Sequence, residues 1–413
     1  MMSLKEFGKM KRSSVFLLIV GTEGYGVRRG LIGIAKDLQR RGIAVTVAAL
    51  EEGGTVDALR KQGLQVTVAP RVARPAITRN PLSRAFAYFR RWIGQLSLVP
   101  WLAAQIRKSG AKNLIVRSPP ELLLAGMAAK KAGASACWLM PAGISDHYPA
   151  NLNRRIYDFI IRHAAIVPIA NSRFTAGTLG SGAGKVYVSH LGVDPEEFRL
   201  PEVAERDAVR SSLGIPGDAV VLGLLARLTP NKGQLVFTRA LAELGRADVH
   251  LLICGGPMDS AYAAGIAELA AARGLAETVH LVGPVDDVAR YYAACDVVVS
   301  SRIDPEPFGF SVIEAMIMGR LVLAHAAGGP GETVIDGMTG WLVEQPTPAG
   351  FRQGLERMLA DRAKWDDMAS EARRHALTNF TNTAMTGRLL QIMDEHTGQR
   401  APSAPSSASA QVS

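Results

Sequence analysis

The chain has 413 residues, of which 48% are hydrophobic and 20% are charged, and it carries a net charge of +10. This length suits two domains of ordinary size, and the composition excludes a disordered chain. Residues 1–200 hold 29 Lys and Arg against 12 Asp and Glu, whereas residues 201–413 hold 18 against 25. The basic first half predicts an anionic partner, either a membrane surface, a phosphorylated acceptor or nucleic acid, unless it serves solubility alone.

The first half alternates short apolar runs with helical segments. The run Val15–Val20 leads directly into GTEGYG, so it predicts a buried strand rather than a signal peptide. A helix is predicted over 28–41, and further strands over 44–50, 64–68, 114–116, 137–140 and 166–170. Continuous apolar strands between helices indicate a parallel sheet that is covered on both faces.

A second series of apolar runs begins near residue 219. It predicts strands over 219–226, 249–254, 279–282, 297–300, 321–324 and 341–343. The fold class is therefore α/β, with two Rossmann-like doubly wound domains joined through Pro195–Pro216. Residues 396–413 are rich in Ala, Ser and Pro and predict a disordered tail.

The three cysteines, Cys137, Cys254 and Cys295, lack the spacing of a metal site. A sparse, odd set predicts a reducing compartment and buried thiols beside strands. No apolar stretch approaches the roughly 18 residues of a membrane-spanning helix. We therefore expect a cytoplasmic protein, and a peripheral position at the inner face of the cell membrane is a further expectation.

Residues 79–108 interleave aromatic and basic side chains on helical stretches that Pro100 separates or kinks. The pattern is typical of helices that lie in an anionic membrane surface. Two amphipathic helices packed on the sheet need the same apolar stripe, so both interpretations stay open. No nucleic-acid partner is expected, because no helix-turn-helix, zinc-finger or RRM pattern is visible.

Two patterns in the second half carry chemistry. Arg227 and Lys232 follow a predicted strand and precede a helix, where two cations could hold a diphosphate or form a solvated turn. Glu306 and Glu314 flank Gly309, and carboxylates suit the hydroxyls of a sugar and a ribose. A capping box between Ser311 and Glu314 would explain Glu314 without any ligand.

A third pattern, GTEGYGVRRG, follows the first predicted strand. Its glycines, including Gly24 and Gly26, resemble a dinucleotide-binding loop with one extra residue, and Glu51 follows the second strand as a ribose-binding acid would. A tight strand-to-helix turn explains the same glycines.

Several short motifs in fixed order extend these patterns: Gly255-Gly256-Pro257, Val282-Gly283, Ala315-Met316 after Glu314, and Gly328-Gly329-Pro330-Gly331-Glu332. Together with ANSRFT at 170–175, this order resembles glycosyltransferase family 4, the retaining enzymes of the GT-B fold. The resemblance covers residues 165–345 most strongly. It implies an N-terminal acceptor-side domain over 1–198, a nucleotide-sugar domain over 199–378, and a helix over 379–395 that crosses back.

The resemblance also implies roles for individual residues around a cleft between the domains. Catalytic roles fall to Glu306, Arg227, Lys232 and His147. Arg227 and Lys232 would grip the donor diphosphate, Glu306 would meet hydroxyls of the transferred sugar, and Glu314 would bind the ribose. Further donor contacts would come from Gly24, Gly26, Val282, Gly283, Phe308 and Gly309. No metal or other cofactor is expected, since no Asp-x-Asp motif is present.

The sequence departs from the family at two positions. The histidine that many members carry after a first-domain strand is replaced by Pro141-Ala142-Gly143, and His147 is the nearest substitute or an ordinary loop residue. Leu191 stands where an Asn usually precedes Gly-Val-Asp. Both departures concern the acceptor side rather than the donor side.

The sequence therefore predicts transfer of a sugar from a nucleotide-sugar donor to a lipid-linked, polysaccharide or other glycan acceptor, with retention, in cell-envelope glycan or glycolipid synthesis. A nucleotide-sugar epimerase of the same fold and a non-catalytic nucleotide-sugar-binding protein are the alternatives. An oxidoreductase that uses Gly24, Gly26 and Glu51 would leave Glu306 and Glu314 unexplained.

Overall fold

The structure is a computed structural model, and it describes residues 14–71, 93–144 and 152–397. His147 and the first part of the basic aromatic segment 79–108 lie outside the described residues, as does nearly all of the tail predicted over 396–413.

The first domain is a parallel sheet with helices on both faces. Its strands are β1 (Ser14–Ile19), β2 (Ala44–Ala49), β3 (Val66–Val68), β4 (Asn113–Val116), β5 (Ser135–Met140), β6 (Ile166–Ala170) and β7 (Tyr187–Val188). Their order in the sheet is β3-β2-β1-β4-β5-β6-β7. The helices are α1 (Tyr25–Arg40), α2 (Gly54–Lys61), α3 (Val99–Ser109), α4 (Leu122–Ala132), α5 (Leu152–His163) and α6 (Arg173–Gly177).

The second domain repeats this arrangement. Its strands are β8 (Val220–Leu225), β9 (Val249–Cys254), β10 (Val279–Gly283), β11 (Val297–Ser300), β12 (Leu321–His325) and β13 (Trp341–Val343), in the order β10-β9-β8-β11-β12-β13. Its helices are α7 (Val203–Ser212), α8 (Gln234–Leu244), α9 (Ala261–Ala272), α10 (Val288–Ala294), α11 (Phe310–Ile317), α12 (Pro330–Thr333), α13 (Pro348–Ala360) and α14 (Trp365–Asn379).

Both sheets reverse their strand order at one place, between β1 and β4 in the first domain and between β8 and β11 in the second. A crevice opens there at the carboxyl ends of the strands, and ligands of doubly wound folds bind in such crevices. The central strands β8 and β9 are buried along their whole length, which is why they read as uninterrupted apolar runs. The predicted α/β class with two doubly wound domains is confirmed.

The last helix, α15 (Asn382–Thr397), packs against α1 of the first domain, while α14 packs on α11 of the second. The contact between α15 and α1 requires glycine at residue 33, because a Cβ atom there would lie 2.5 Å from the Asn382 side chain. The chain therefore crosses between the domains at residues 380–381. The helix continues to Thr397, two residues into the segment predicted as a tail.

The structure adds two elements to the predicted ones. The connection over 195–216 contains a helix, α7, and the short strand β7 was not predicted. Pro100 lies in the first turn of α3 and follows the helical residues 93–96, so it separates two helical stretches as one of the predicted alternatives has it. The apolar side chains Val99, Leu102 and Ile106 of α3 are buried in the core. The described part of segment 79–108 thus packs on the sheet, as the alternative interpretation requires.

Candidate donor site between the two domains

Lys232 and Glu306 meet in the crevice of the second domain. The Lys232 Nζ atom lies 2.6 Å from Glu306 Oε2, although 74 residues separate them. Lys232 belongs to the turn after β8 and Glu306 to the loop after β11, and these are the two strands between which the sheet reverses. The fold thus joins two predicted site residues at the position where a ligand is expected.

Backbone contacts fix the Lys232 turn against the β11 loop. The Ser301 hydroxyl donates to the Lys232 carbonyl at 2.9 Å, and the Ile303 amide donates to the Asn231 carbonyl at 3.0 Å. Gly233 has a φ of +72°, and a Cβ atom there would lie 2.0 Å from the Ser301 carbonyl oxygen. Glycine is therefore needed at 233 both for the backbone conformation and for the close approach.

The Glu306 loop is held from the other side by the loop after β12. The Glu306 amide donates to Ala327, and the Gly329 amide donates to the Glu306 carbonyl at 2.7 Å. A Cβ atom on Gly328 would lie 2.1 Å from that carbonyl oxygen, and one on Gly329 would lie 2.2 Å from the Phe308 carbonyl. Because Gly328 and Gly329 have no side chains, the two loops can approach closely, and this contact positions Glu306.

Arg302 is a site residue that the sequence analysis missed. Its Nη1 atom lies 3.4 Å from Glu306 Oε2, and its guanidinium also pairs with Asp304 at 2.7 and 2.8 Å. Burial alone would lower the pKa of Arg302, but Asp304 and Glu306 raise it above its usual value. Glu306 is therefore held between two cations, Lys232 and Arg302. The four-residue spacing between Arg302 and Glu306 was the feature of the sequence that could have indicated this pair.

Arg227 follows β8 and has an exposed side chain. Its carbonyl oxygen accepts a hydrogen bond from the Gln234 side chain at 2.9 Å, which ties the turn to α8. Within the described part of the chain the Arg227 guanidinium forms no ion pair. The structure places it in the same turn as Lys232 but does not bring it into the Lys232–Glu306 pair.

Glu314 is bound on both oxygens in this structure. Arg29 of α1 forms an ion pair with Oε1, and the Tyr292 hydroxyl donates to Oε2 at 2.6 Å. Burial, and then the charge of Glu314, raise the pKa of Tyr292. The capping box with Ser311 is not formed, because the N-cap residue of α11 is Gly309, in a left-handed conformation. A ribose contact by Glu314 would require exchange of the Arg29 pair.

The first-domain glycine loop faces the second domain. A Cβ atom on Gly24 would meet no atom within 4 Å, whereas one on Gly26 would lie 3.7 Å from the Phe310 ring at the start of α11. The Glu23 carboxylate shapes the loop by accepting the Val20 amide at 2.6 Å and the Gly21 amide at 3.1 Å. Glu51 accepts the Thr22 hydroxyl at 2.9 Å beside the same loop.

The remaining predicted donor residues lie along the same edge. Gly283 ends β10, and its carbonyl accepts the Gly255 amide at 2.8 Å, with Val282 half-buried before it. The Phe308 ring is buried among His190, Phe310 and Phe380. Phe308 can therefore offer a ligand its backbone but not its side chain.

Glu332 of α12 joins the two domains at the far side of the cleft. Its carboxylate accepts the amides of Arg173 and Phe174, each at 2.8 Å, and lies 3.1 Å from His190 Nε2. Glu332 belongs to the GGPGE motif of the second domain, and its three partners belong to the first. The contact gives this acidic residue a positioning role that the motif alone did not reveal.

Comparisons with known proteins agree with this geometry. Residues 205–375 match the family model described as glycosyl transferases group 1. A D-inositol 3-phosphate glycosyltransferase of Streptomyces avermitilis is 36% identical over 203 residues, which are 47% of this chain and 43% of that protein. The chain spans about half the length of the curated relatives it matches.

Two solved structures cover almost the whole chain. A glycosyltransferase from Rickettsia africae has a TM-score of 0.79 at 21% identity, covering 95% of this chain and 100% of that one. Anabaena HepE in complex with UDP and glucose has a TM-score of 0.75 at 23% identity, covering 93% and 99%. The chain has the GT-B fold.

In a GT-B chain the two doubly wound domains face one another, and Arg29–Glu314 and Gly26–Phe310 are contacts across that cleft. The match over 205–375 confirms the coarser part of the family resemblance, that the second domain is of the group 1 glycosyl transferase type. The three cysteines are free and buried, as predicted. Among the described helices, none is both long and apolar enough to cross a membrane.

Proposed function

We propose that the protein transfers a sugar from a nucleoside-diphosphate sugar to a lipid-linked or other glycan acceptor, with retention of anomeric configuration. The observation that carries this proposal is the Lys232–Glu306 pair at the crevice between β8 and β11. The family match and the UDP bound to the structurally similar Anabaena HepE support it.

The pair explains how the charge of Lys232 is balanced in the free protein and how a donor would change it. In the free protein the Glu306 carboxylate satisfies the Lys232 ammonium. A bound diphosphate would draw Lys232 toward its oxygens, and Glu306, still held by Arg302, would then accept hydroxyls of the sugar. Exchange of one anionic partner for another keeps Lys232 paired throughout.

The same cations serve the chemical step. When the bond from the anomeric carbon to the diphosphate breaks, negative charge builds on the departing phosphate oxygen. Lys232, Arg227 and the backbone amides at the start of α11 would stabilise that charge most strongly in the transition state. We propose that these groups supply the positive charge without a metal. We propose retention of configuration without a protein nucleophile on the ground of the resemblance to glycosyltransferase family 4.

Calorimetric titration with UDP, GDP and ADP tests the donor site, with Lys232→Met as the disrupting variant. Lys364→Met is a matched control, because Lys364 also pairs with a carboxylate, that of Asp361 at 2.7 Å, but outside the cleft. We expect one nucleotide to bind the wild type and the control, and to bind Lys232→Met at least tenfold more weakly. Equal binding by all three proteins, or by none, would reject the donor site.

We further propose that the acceptor lies at an anionic membrane surface inside the cell and that α5 contacts it. Leu152, Ile156 and Phe159 are exposed on this helix, Phe159 by 61%, although large apolar side chains are normally buried. The other exposed residues of α5 are Arg155, Arg162 and His163, and none is acidic. This mixture is typical of a helix that lies at an anionic lipid surface.

A neighbouring groove extends this surface. His163 of α5 lines it together with Met127, Lys130 and Lys131 of α4, and the two lysines are exposed. Both helices belong to the basic first domain. For residues 79–108 the sequence left membrane contact and packing on the sheet open; we propose the membrane contact on α4 and α5, since the apolar stripe of α3 faces the core.

Co-sedimentation with vesicles tests the membrane contact. Vesicles that contain phosphatidylglycerol should bind the wild type, with binding lost at high salt, and vesicles of phosphatidylcholine alone should not. Phe159→Ser and Arg155→Glu should each reduce binding severalfold. Val203→Ser, at an exposed apolar residue on another helix, is the control and should bind like the wild type. Unchanged binding by the α5 variants would remove this surface from the proposal.

A further inference from the structure

Arg117 is a buried arginine whose guanidinium has no hydrogen-bond or salt-bridge partner among the described residues. It follows β4 directly and is 3% exposed. Its Nε and Nη1 atoms are enclosed and have no hydrogen-bond partner within the described chain. The Arg117 backbone carbonyl, by contrast, accepts the Trp138 ring N–H at 3.2 Å.

The surroundings compensate only in part for the burial of this charge. Burial lowers the pKa of Arg117 to about 10, with Glu23 acting in the opposite direction, so the guanidinium remains charged at neutral pH. Glu23 forms no salt bridge with it in the described structure, and the Glu23 carboxylate accepts the Val20 and Gly21 amides. Buried charges in proteins are normally paired, so an unpaired one points to a missing partner.

A second buried arginine shows what a structural role looks like in this chain. Arg210 is 2% exposed, and it donates through Nε to the Ala294 carbonyl at 2.9 Å and through Nη1 to the Ala219 carbonyl at 3.0 Å. It also pairs with Asp296 at 2.9 Å. Arg210 thus holds three segments together, whereas the enclosed nitrogens of Arg117 hold none of the described segments.

The position of Arg117 is that of a ligand site. It lies at the carboxyl end of β4, beside β1, where the first sheet reverses its strand order. Its guanidinium lies against α1 at Gly30, where a Cβ atom would come within 2.3 Å of Nη1. The loop that ends at Gly24 follows β1 at the same crevice, and Gly24 borders open space.

We infer that Arg117 binds an anionic group of the acceptor, a phosphate or a carboxylate, in this first-domain crevice. The inference rests on the proposed function, because it assigns the acceptor to the domain opposite the donor site. The Nε and Nη1 atoms have no hydrogen bonds within the described chain to lose when Arg117 turns from Gly30 toward a ligand. A guanidinium can bind either oxyanion through two parallel hydrogen bonds.

The test titrates inorganic phosphate and glucuronate into the wild type and into Arg117→Met, each saturated with the nucleotide that occupies the donor site. The same titrations in the Lys232→Met background remove phosphate binding at the donor crevice. Arg60→Met is the control, because Arg60 is an exposed first-domain arginine that pairs with Glu52. We expect Arg117→Met to weaken binding of one of the two anions at least tenfold and Arg60→Met to leave it unchanged.

The melting temperature supplies a second readout that separates ligand binding from a structural role. Removing an unpaired buried charge should leave the melting temperature unchanged or raise it, whereas removing a structural arginine lowers it. Failure of both anions to bind, equal binding by Arg117→Met, or a large fall in its melting temperature would each overturn the inference. Absence of nucleotide binding by the wild type would instead count against the proposed function, and the anion titrations in the Lys232→Met background would still decide the role of Arg117.

Discussion

Arg29 of the first domain and Glu314 of the second form an ion pair that ties α1 to α11 across the cleft. The Glu314 side chain is only 7% exposed, so removal of Arg29 would leave a carboxylate that is desolvated and short of one partner. We expect Arg29→Met to lower the free energy of unfolding by about 3 kcal/mol, the usual result of breaking a buried pair from one side. Urea unfolding of the purified variant measures this change.

The double variant Arg29→Met, Glu314→Gln provides the control for that measurement. The side-chain amide that replaces the carboxylate would still accept the Tyr292 hydroxyl, and it would not need a cation. The double variant should therefore recover part of the lost stability. If it is no more stable than Arg29→Met alone, the pair does not act through the charge of Glu314.

Glu306 should have separable effects on binding and on catalysis. In Glu306→Gln the Lys232 ammonium loses its carboxylate partner and becomes more available to a diphosphate. We expect this variant to bind the free nucleotide as tightly as the wild type or more tightly, while kcat falls by about 10²- to 10³-fold because contacts to the sugar weaken in the transition state. Calorimetry and steady-state kinetics measure the two effects. A loss of nucleotide affinity in parallel with the loss of kcat would instead show that Glu306 has a structural role in the loop.

Many of the strands were predictable because buried strands of a parallel sheet read as short, continuous apolar runs. Residues 166–170, 249–254, 297–300 and 341–343 form strands with the predicted bounds. Strand β7 was missed because it has only two residues. The helix α1 begins at Tyr25 rather than at 28, since Gly24 already opens the turn that the glycine pattern marked.

The site was predictable only where its residues lie in one local pattern. Lys232 and Glu306 were identified from their own loops, but their contact depends on the adjacency of β8 and β11. Arg29, Tyr292 and Arg117 were missed because each acts through residues far away in the sequence or through the absence of a partner in the described chain. No periodicity or spacing encodes such contacts: the Arg29–Glu314 pair arises where the two domains meet, and the Tyr292–Glu314 contact arises from packing within the second domain.

The paired histidines of the second domain should make its stability sensitive to acid. His250 Nδ1 lies 3.0 Å from His280 Nε2, and the two rings stack. Burial lowers the pKa of both below 6.5, with a further contribution from Arg210 at His250 and from His250 at His280. The unfolded chain therefore binds more protons, so stability that is present above pH 6.5 is lost as the pH falls through the lowered values.

Melting temperatures at pH 7.5 and pH 5.0 measure this loss. We expect the fall in melting temperature from pH 7.5 to pH 5.0 to be smaller in His280→Gln than in the wild type, since a neutral amide removes one of the two protonation sites. His396→Gln, at an exposed histidine of α15, is the control and should fall as the wild type does. An equal fall in all three proteins would show that the pair does not contribute to acid sensitivity.

The last prediction concerns Gly233, which brings the Lys232 turn against the β11 loop. Gly233→Ala adds a Cβ atom 2.0 Å from the Ser301 carbonyl at a φ of +72°, so the turn must move away from Ser301. Gly245→Ala is the matched control, because Gly245 has a φ of +65° but open space around its Cα atom. The control should lose about 1 kcal/mol of its free energy of unfolding, because alanine is strained in the left-handed conformation. Gly233→Ala should lose clearly more of its free energy of unfolding, as measured by urea unfolding. Its nucleotide affinity should also fall, because Lys232 leaves its place beside Glu306. Equal losses of stability in the two variants would show that the turn does not depend on the contact with Ser301.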